Sequence, residues 1–193
     1  MQVRLLAVVL AIGAVGATNG CGDPTAIKAQ YDNVDAPNIT LYALNGTSPS
    51  LPSALQVGFA SSARVDANFN FDIAFDLDEK GQVLAYPVRA VATQFVSAHR
   101  VGMIASDRSF AESIRAPTSG YKYDTVTVAP IGKTFYVDVI DQSLCSAFSL
   151  LGQNIRGKFV VDSVKVPTRQ VFVHLFANRN CGFRSLMTGR PKD

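Results

Sequence analysis

From Ile39 onward, apolar and polar residues alternate in short runs broken by turn residues. The clearest run is 68–78. Phe69, Phe71, Ile73, Phe75 and Leu77 hold one parity, and Asn70, Asp72, Asp76 and Asp78 hold the other with only Ala74 between them. Successive side chains of a strand point to opposite faces, so this pattern predicts a strand with one apolar face and one acidic, solvated face. Glu79-Lys80-Gly81 supplies a turn, and 82–92 returns as a partner strand. Pro87 in that partner cannot donate to a ladder and is expected at an edge or a bulge.

Two further pairs follow. Residues 124–128 and 134–140 predict one hairpin about Ala129-Pro130-Ile131-Gly132-Lys133, and 157–166 with 170–177 predict another about Pro167-Thr168-Arg169. Shorter strands are expected at 39–44, 54–60 and 94–104. Helix is scarce: Ser109 and Glu112 have the spacing of a capping box for a short helix through Ile114, and 143–151 forms a second candidate that stops at Gly152. Many short strands with little helix predict an all-β fold, either an antiparallel β-sandwich or a partly closed barrel, with one or two short helices. No internal repeat or linker interrupts 39–193, which is expected to be one domain.

The N-terminal 20 residues follow a different pattern. Arg4 precedes an uninterrupted apolar run over 5–17, and small residues follow it. The run is shorter than the roughly 20 residues that a spanning helix needs, and its layout is that of a signal peptide over 1–20. Two processing sites are open. Val15-Gly16-Ala17 offers cleavage after Ala17, whereas Thr18-Asn19-Gly20-Cys21 resembles a bacterial lipobox, in which Cys21 becomes the lipidated N-terminus. The chain has 3 cysteines. Lipidation of Cys21 accounts for the odd one and leaves Cys145 and Cys181 to pair in an oxidising compartment. Residues 21–38 are polar, contain Pro24 and Pro37, lack periodicity, and are expected to act as a tether. Together these readings predict an exported, membrane-anchored lipoprotein facing the periplasm or the cell surface.

Composition narrows the partners. With 48% apolar and 17% charged residues the chain is not intrinsically disordered, and a formal charge of +3 is too small for a nucleic-acid partner. The charge is uneven: 22–83 carries 8 acids and 3 bases, and 152–193 carries 8 bases and 2 acids. Arg179, Arg184, Arg190 and Lys192 crowd the end. This basic end suits an anionic headgroup or glycan, or it neutralises the acidic early segment.

Candidate chemistry is sparse. Asp76-Leu77-Asp78-Glu79-Lys80-Gly81 begins like a calcium loop, but Lys80 and Pro87 stand where ligands belong, so the segment reads as a hairpin turn. No metal site is expected. The imidazoles are His99 and His174, and His174 alternates with Phe172 and Phe176, which places all three on one strand face. GxSxG, P-loop and GxGxxG frames are absent, so no catalytic residue is assigned, although triad members scattered along the chain would escape such a search.

Phe71-Asp72-Ile73-Ala74-Phe75, the Gly157-Lys158-Phe159-Val160-Val161 strand and the closing Val171-Phe172-Val173-His174-Leu175-Phe176 strand resemble segments of the HmuY-like haem-binding lipoproteins. Phe71 replaces that family's tryptophan, and Cys145 and the Asn180-Cys181-Gly182-Phe183-Arg184 segment are foreign to it. The resemblance implies an exported β-rich lipoprotein body; were haem bound, His174 and His99 would be the histidine ligands available. The leading expectation is a non-enzymatic binding or envelope-associated module for an unidentified protein, glycan or small molecule. The alternatives are haem or a small hydrophobic ligand held near His174, and a hydrolase with a dispersed site.

Overall fold

A computed structural model describes residues 27–65, 69–92, 98–145 and 151–192. Eleven strands are seen among them: β1 (Val34–Tyr42), β2 (Ala54–Gln56), β3 (Ser61–Ala63), β4 (Ile73–Leu77), β5 (Val83–Pro87), β6 (Arg100–Ala105), β7 (Lys122–Tyr123), β8 (Thr127–Val128), β9 (Thr134–Ile140), β10 (Asn154–Lys165) and β11 (Gln170–Asn178). One short helix, α1 (Val88–Ala92), follows β5, and 3-10 turns occupy Val57–Phe59 and Val166–Thr168.

The strands form two antiparallel sheets. The larger has the order β1-β11-β10-β9-β6-β7 and the smaller β3-β2-β4-β5-β8, so the fold is an antiparallel β-sandwich and not a closed barrel. Alternation along the larger sheet turns Leu41, Val101, Met103, Phe135, Val137, Val139, Phe159, Val161, Val171, Val173 and Leu175 inward. Leu55, Ile73, Phe75, Leu77, Val83 and Ala85 meet them from the smaller sheet. Phe159 sits at the centre, stacked on Phe135 at 5.4 Å between centroids and edge-on to Phe75 at 5.6 Å. Gly157 admits the turn Val57–Phe59 against β10, because a Cβ there would lie 2.8 Å from Val57 Cγ1 and 3.0 Å from the Phe176 carbonyl.

A third layer covers the outer face of the larger sheet. The segment 106–120 and the C-terminal 179–192 meet through the Arg115–Ser185 bridge and the bonds Ala116 N to Arg184 O (2.9 Å) and Leu186 N to Ile114 O (2.7 Å). They enclose a small second core of Ala116, Phe176 and Leu186, with Phe110 and Tyr136 against it. Hence most of β10 is buried on both faces.

Several expectations are corrected. The 124–140 hairpin does not form: β8 pairs with β5 in the smaller sheet, while β9 pairs with β10 and β6 in the larger. The turn at 129–133 is therefore a crossing between sheets. The partner strand expected over 82–92 ends at Pro87, opposite Ile73, and α1 begins at Val88, whose amide still donates to the Asp72 carbonyl at 2.9 Å. Ser109 and Glu112 do make reciprocal capping bonds, but they close a single turn in place of a helix. The second helix candidate falls largely on 146–150, outside the described residues. The acidic face of 68–78 is solvated only at its ends: Asn70 is exposed and Asp78 half-buried, but Asp72 and Asp76 are both buried.

The tether expectation over 21–38 changes as well. Residues 21–26 lie outside the described residues, as does the signal segment, while Ala29 is buried and β1 already begins at Val34. Asn180 holds the intervening backbone: its Oδ1 accepts from the Gln30 and Tyr31 amides at 2.7 and 2.9 Å, and its Nδ2 donates to the Tyr31 carbonyl at 2.9 Å. Side-chain amides thus extend the sheet edge without regular alternation, which is why the sequence pattern does not reveal it.

Candidate functional site

The outer face of the larger sheet carries one row of side chains set by strand register. Asp35 on β1 lies opposite Phe176 on β11, which lies opposite Lys158 on β10, which lies opposite Tyr136 on β9. Two residues back along β11 stands His174, opposite an irregularity of β1 between Ala36 and Ile39. Pro37 has no amide hydrogen, and Asn38 adopts φ +61°, so the ladder breaks there. His174 Nε2 meets Asp35 Oδ1 at 2.5 Å.

Phe110, Ala111 and Ile114 from the covering segment and Leu186, Met187 and Thr188 from the C-terminus wall this row into an open groove of about 390 Å³. Phe110 lies on the His174 imidazole with 4.1 Å between ring centroids. The Lys158 ammonium donates to the Phe110 carbonyl at 2.6 Å and lies 4.4 Å from the Phe110 ring centroid and 5.1 Å from that of Phe176. Burial lowers the Lys158 pKa, and the charge of Asp35 works in the opposite direction. Ile114 and Met187 are exposed. The groove therefore joins an aromatic and aliphatic lining to a largely desolvated cation, whose field in such surroundings is stronger than in water.

Of the four residues expected at a ligand site, His174 and Phe176 line this groove. Phe172 lies further along β11, with the Lys165 ammonium 5.3 Å from its ring centroid. His99 is elsewhere, in a separate pocket of about 150 Å³ shared with Gln56, Asn70, Asp72, Asp141 and Ser143, among others. The two pockets have no lining residue in common. Both histidines present Nε2 to a carboxylate, His99 to Asp72 at 2.6 Å and His174 to Asp35 at 2.5 Å. The residues present therefore do not fit haem held between two imidazoles.

In the His99 pocket, Asp72 also accepts from the Val57 amide at 2.5 Å. Burial acts to lower the His99 pKa, but the hydrogen bond and charge of Asp72, reinforced by Asp141 and Asp124, outweigh it, and the pKa is raised. The Ser143 hydroxyl donates to Asp141 at 2.7 Å, and the imidazole is turned to Asp72, so the pocket does not present the serine–histidine hydrogen bond of an activated nucleophile. Among the described residues no group of three or more His, Cys, Asp or Glu side chains is placed to hold a metal ion.

Sequence reasoning missed Lys158, Phe110 and Asp35. Lys158 sits in a run of outward positions that alternation assigns to solvent, and the chain segment that covers it comes from 48 residues earlier. It also missed the buried Asp138, which accepts from Tyr123 Oη and Arg156 Nε and, at 2.7 Å, from Asn154 Nδ2. Arg156 Nη1 in turn reaches the Pro117 carbonyl at 3.4 Å, so this network fastens the covering segment to the sheet. Burial raises the Tyr121 and Tyr123 pKa values, with Asp138 adding to both. Cys145 and Cys181 are joined in a disulfide, with Cα atoms 5.7 Å apart.

These features define, among the described residues, an antiparallel β-sandwich with a covered outer face, a disulfide and an amphipathic groove. Compared with protein-family models, curated proteins and solved structures, the chain matches none. The segments that resemble the HmuY-like proteins lie apart, with Phe71–Phe75 in and beside β4 of the smaller sheet and the other two on β10 and β11 of the larger.

Proposed function

We propose that this protein is an exported, lipid-anchored binding module, non-enzymatic, whose ligand is a small amphipathic molecule with an apolar body and an anionic group. The observation that carries the reading is the groove at His174. Its walls of Phe110, Phe176, Ile114, Leu186 and Met187 suit an apolar body, and the Lys158 ammonium, with hydrogens beyond the one given to Phe110, suits an anion. The anchor rests on the Thr18-Asn19-Gly20-Cys21 motif and on the pairing of the other two cysteines.

The probe is 8-anilino-1-naphthalenesulfonate, which has both ligand features, titrated into the chain from residue 22 onward. Saturable fluorescence enhancement is expected, weakened roughly tenfold by Lys158→Met, as loss of one charge-assisted hydrogen bond of ~1.5 kcal/mol implies. Equal affinity in the variant, with unchanged circular dichroism, overturns the groove as the seat. Separately, intact mass of the membrane-extracted chain is expected to show acylation of Cys21. A water-soluble chain beginning at Thr18 refutes the anchor.

A further inference from the structure

The Asn180 clamp changes what a lipid on Cys21 would do. Because the backbone is held from Gln30 onward and Ala29 is buried, the connection from Cys21 to Ile27 spans six residues, which reach at most about 20 Å when fully extended. The clamp lies at one end of the sandwich. Asn180 follows directly on the end of β11 at Asn178, and the Cys145–Cys181 disulfide closes the same end. The turn Val166–Thr168, at the start of β11, marks the opposite end. The nine residues of β11 separate the two ends by about 30 Å, more than the connection can reach.

The anchor-proximal end has the composition of a headgroup-facing surface. Ile27 and Tyr31 are exposed there, beside exposed Lys28 and Arg179, and these four border one shallow depression. The Arg179 guanidinium sits 5.4 Å from the Tyr31 ring centroid. Asp32, the acid next to this group, is paired with Arg190 at 3.5 Å. An aromatic ring and an aliphatic side chain flanked by cations match the interfacial region of an anionic bilayer, which attracts basic residues near its surface.

From this geometry we infer that the sandwich stands end-on at the membrane, with Ile27, Lys28, Tyr31 and Arg179 against anionic phospholipid headgroups and the Val166–Thr168 turn directed away. The inference rests on the lipid anchor proposed above. Standing this way, the body holds its groove beside the bilayer instead of free on a long leash.

The test uses the full chain, processed and lipidated in a bacterial host, then reconstituted into vesicles of phosphatidylcholine and phosphatidylglycerol. The protein has no tryptophan, so Tyr31→Trp and Val166→Trp each give a single reporter. Brominated phospholipids are expected to remove most of the emission at position 31 and none at 166. Adding Lys28→Glu and Arg179→Glu is expected to restore much of the emission at 31. Equal quenching at both positions, quenching at neither, or quenching at 31 that ignores the charge reversal overturns the orientation. Acyl mass on Cys21 is checked in the same preparation, so loss of the anchor itself is read separately from a wrong orientation.

Discussion

Asp72 and Asp76, four residues apart on or beside one strand, are both withdrawn from water, and each survives burial through a different partner. Asp76 accepts from Arg169 Nη2 at 3.1 Å, the Leu77 amide at 2.8 Å and the Asn45 side chain. Asp72 relies on the Val57 amide and on His99, which makes its pairing dependent on pH. The imidazolium is favoured in the fold, since the His99 pKa is raised above its ordinary value. The pair's contribution to stability is therefore fully present below the unfolded pKa near ~6.5 and is lost as pH rises through the folded one. Urea denaturation midpoints are expected to fall over this window in the wild type. His99→Gln, which keeps a neutral donor for Asp72, is expected to flatten that dependence; a slope that survives the substitution refutes the assignment.

Asn180 does for the N-terminal segment what a neighbouring strand does elsewhere, since one side chain satisfies two amides and one carbonyl of residues 30 and 31. Asn180→Ala removes all three bonds and is expected to cost about 1–3 kcal/mol, with loss of amide exchange protection confined to Gln30 and Tyr31 at the moderate end. Protection unchanged at both amides would show that the clamp does not hold the segment. The comparison with sequence turns on the same distinction. The hairpin of β10 and β11 was legible because alternation and turn residues are local signals, and the strand at β4 was legible for the same reason. Its solvated face was not, because Arg169, Asn45 and His99 arrive from distant parts of the chain to satisfy its carboxylates. At the candidate site, alternation placed His174 and Phe176 on one face. It had no access to Phe110 and Asp35, which the covering segment and the break in β1 bring to them.

Across the whole molecule, the acidic early chain and the basic late chain neutralise one another through Asp32–Arg190 and Asp76–Arg169, and Asp35 meets the His174 imidazole. Asn33 adds to this closure by donating from Nδ2 to the carbonyls of Ser185 and Met187 at 3.0 and 2.8 Å. The body is therefore held by contacts between its two termini, and the disulfide secures the same end of the sandwich by joining residues 36 apart. A crosslink across that separation removes about 4 kcal/mol of chain entropy from the unfolded state on the loop-closure estimate. For a domain whose net stability is of order 5–15 kcal/mol, this is a large share. Gly182, next to the bridge, has φ +83°, and a Cβ there would meet the Leu151 backbone at 2.4 Å, so the bridge closes over a position that only glycine fills without strain. Replacing both cysteines with serine is expected to lower the unfolding free energy by about 4 kcal/mol, measured by reversible urea denaturation, and Gly182→Ala is expected to destabilise with the disulfide intact. A loss under ~1 kcal/mol in the double serine variant would mean that the unfolded chain is already compact between positions 145 and 181, so that the crosslink removes little of its entropy, and would refute the loop-closure account of this bridge.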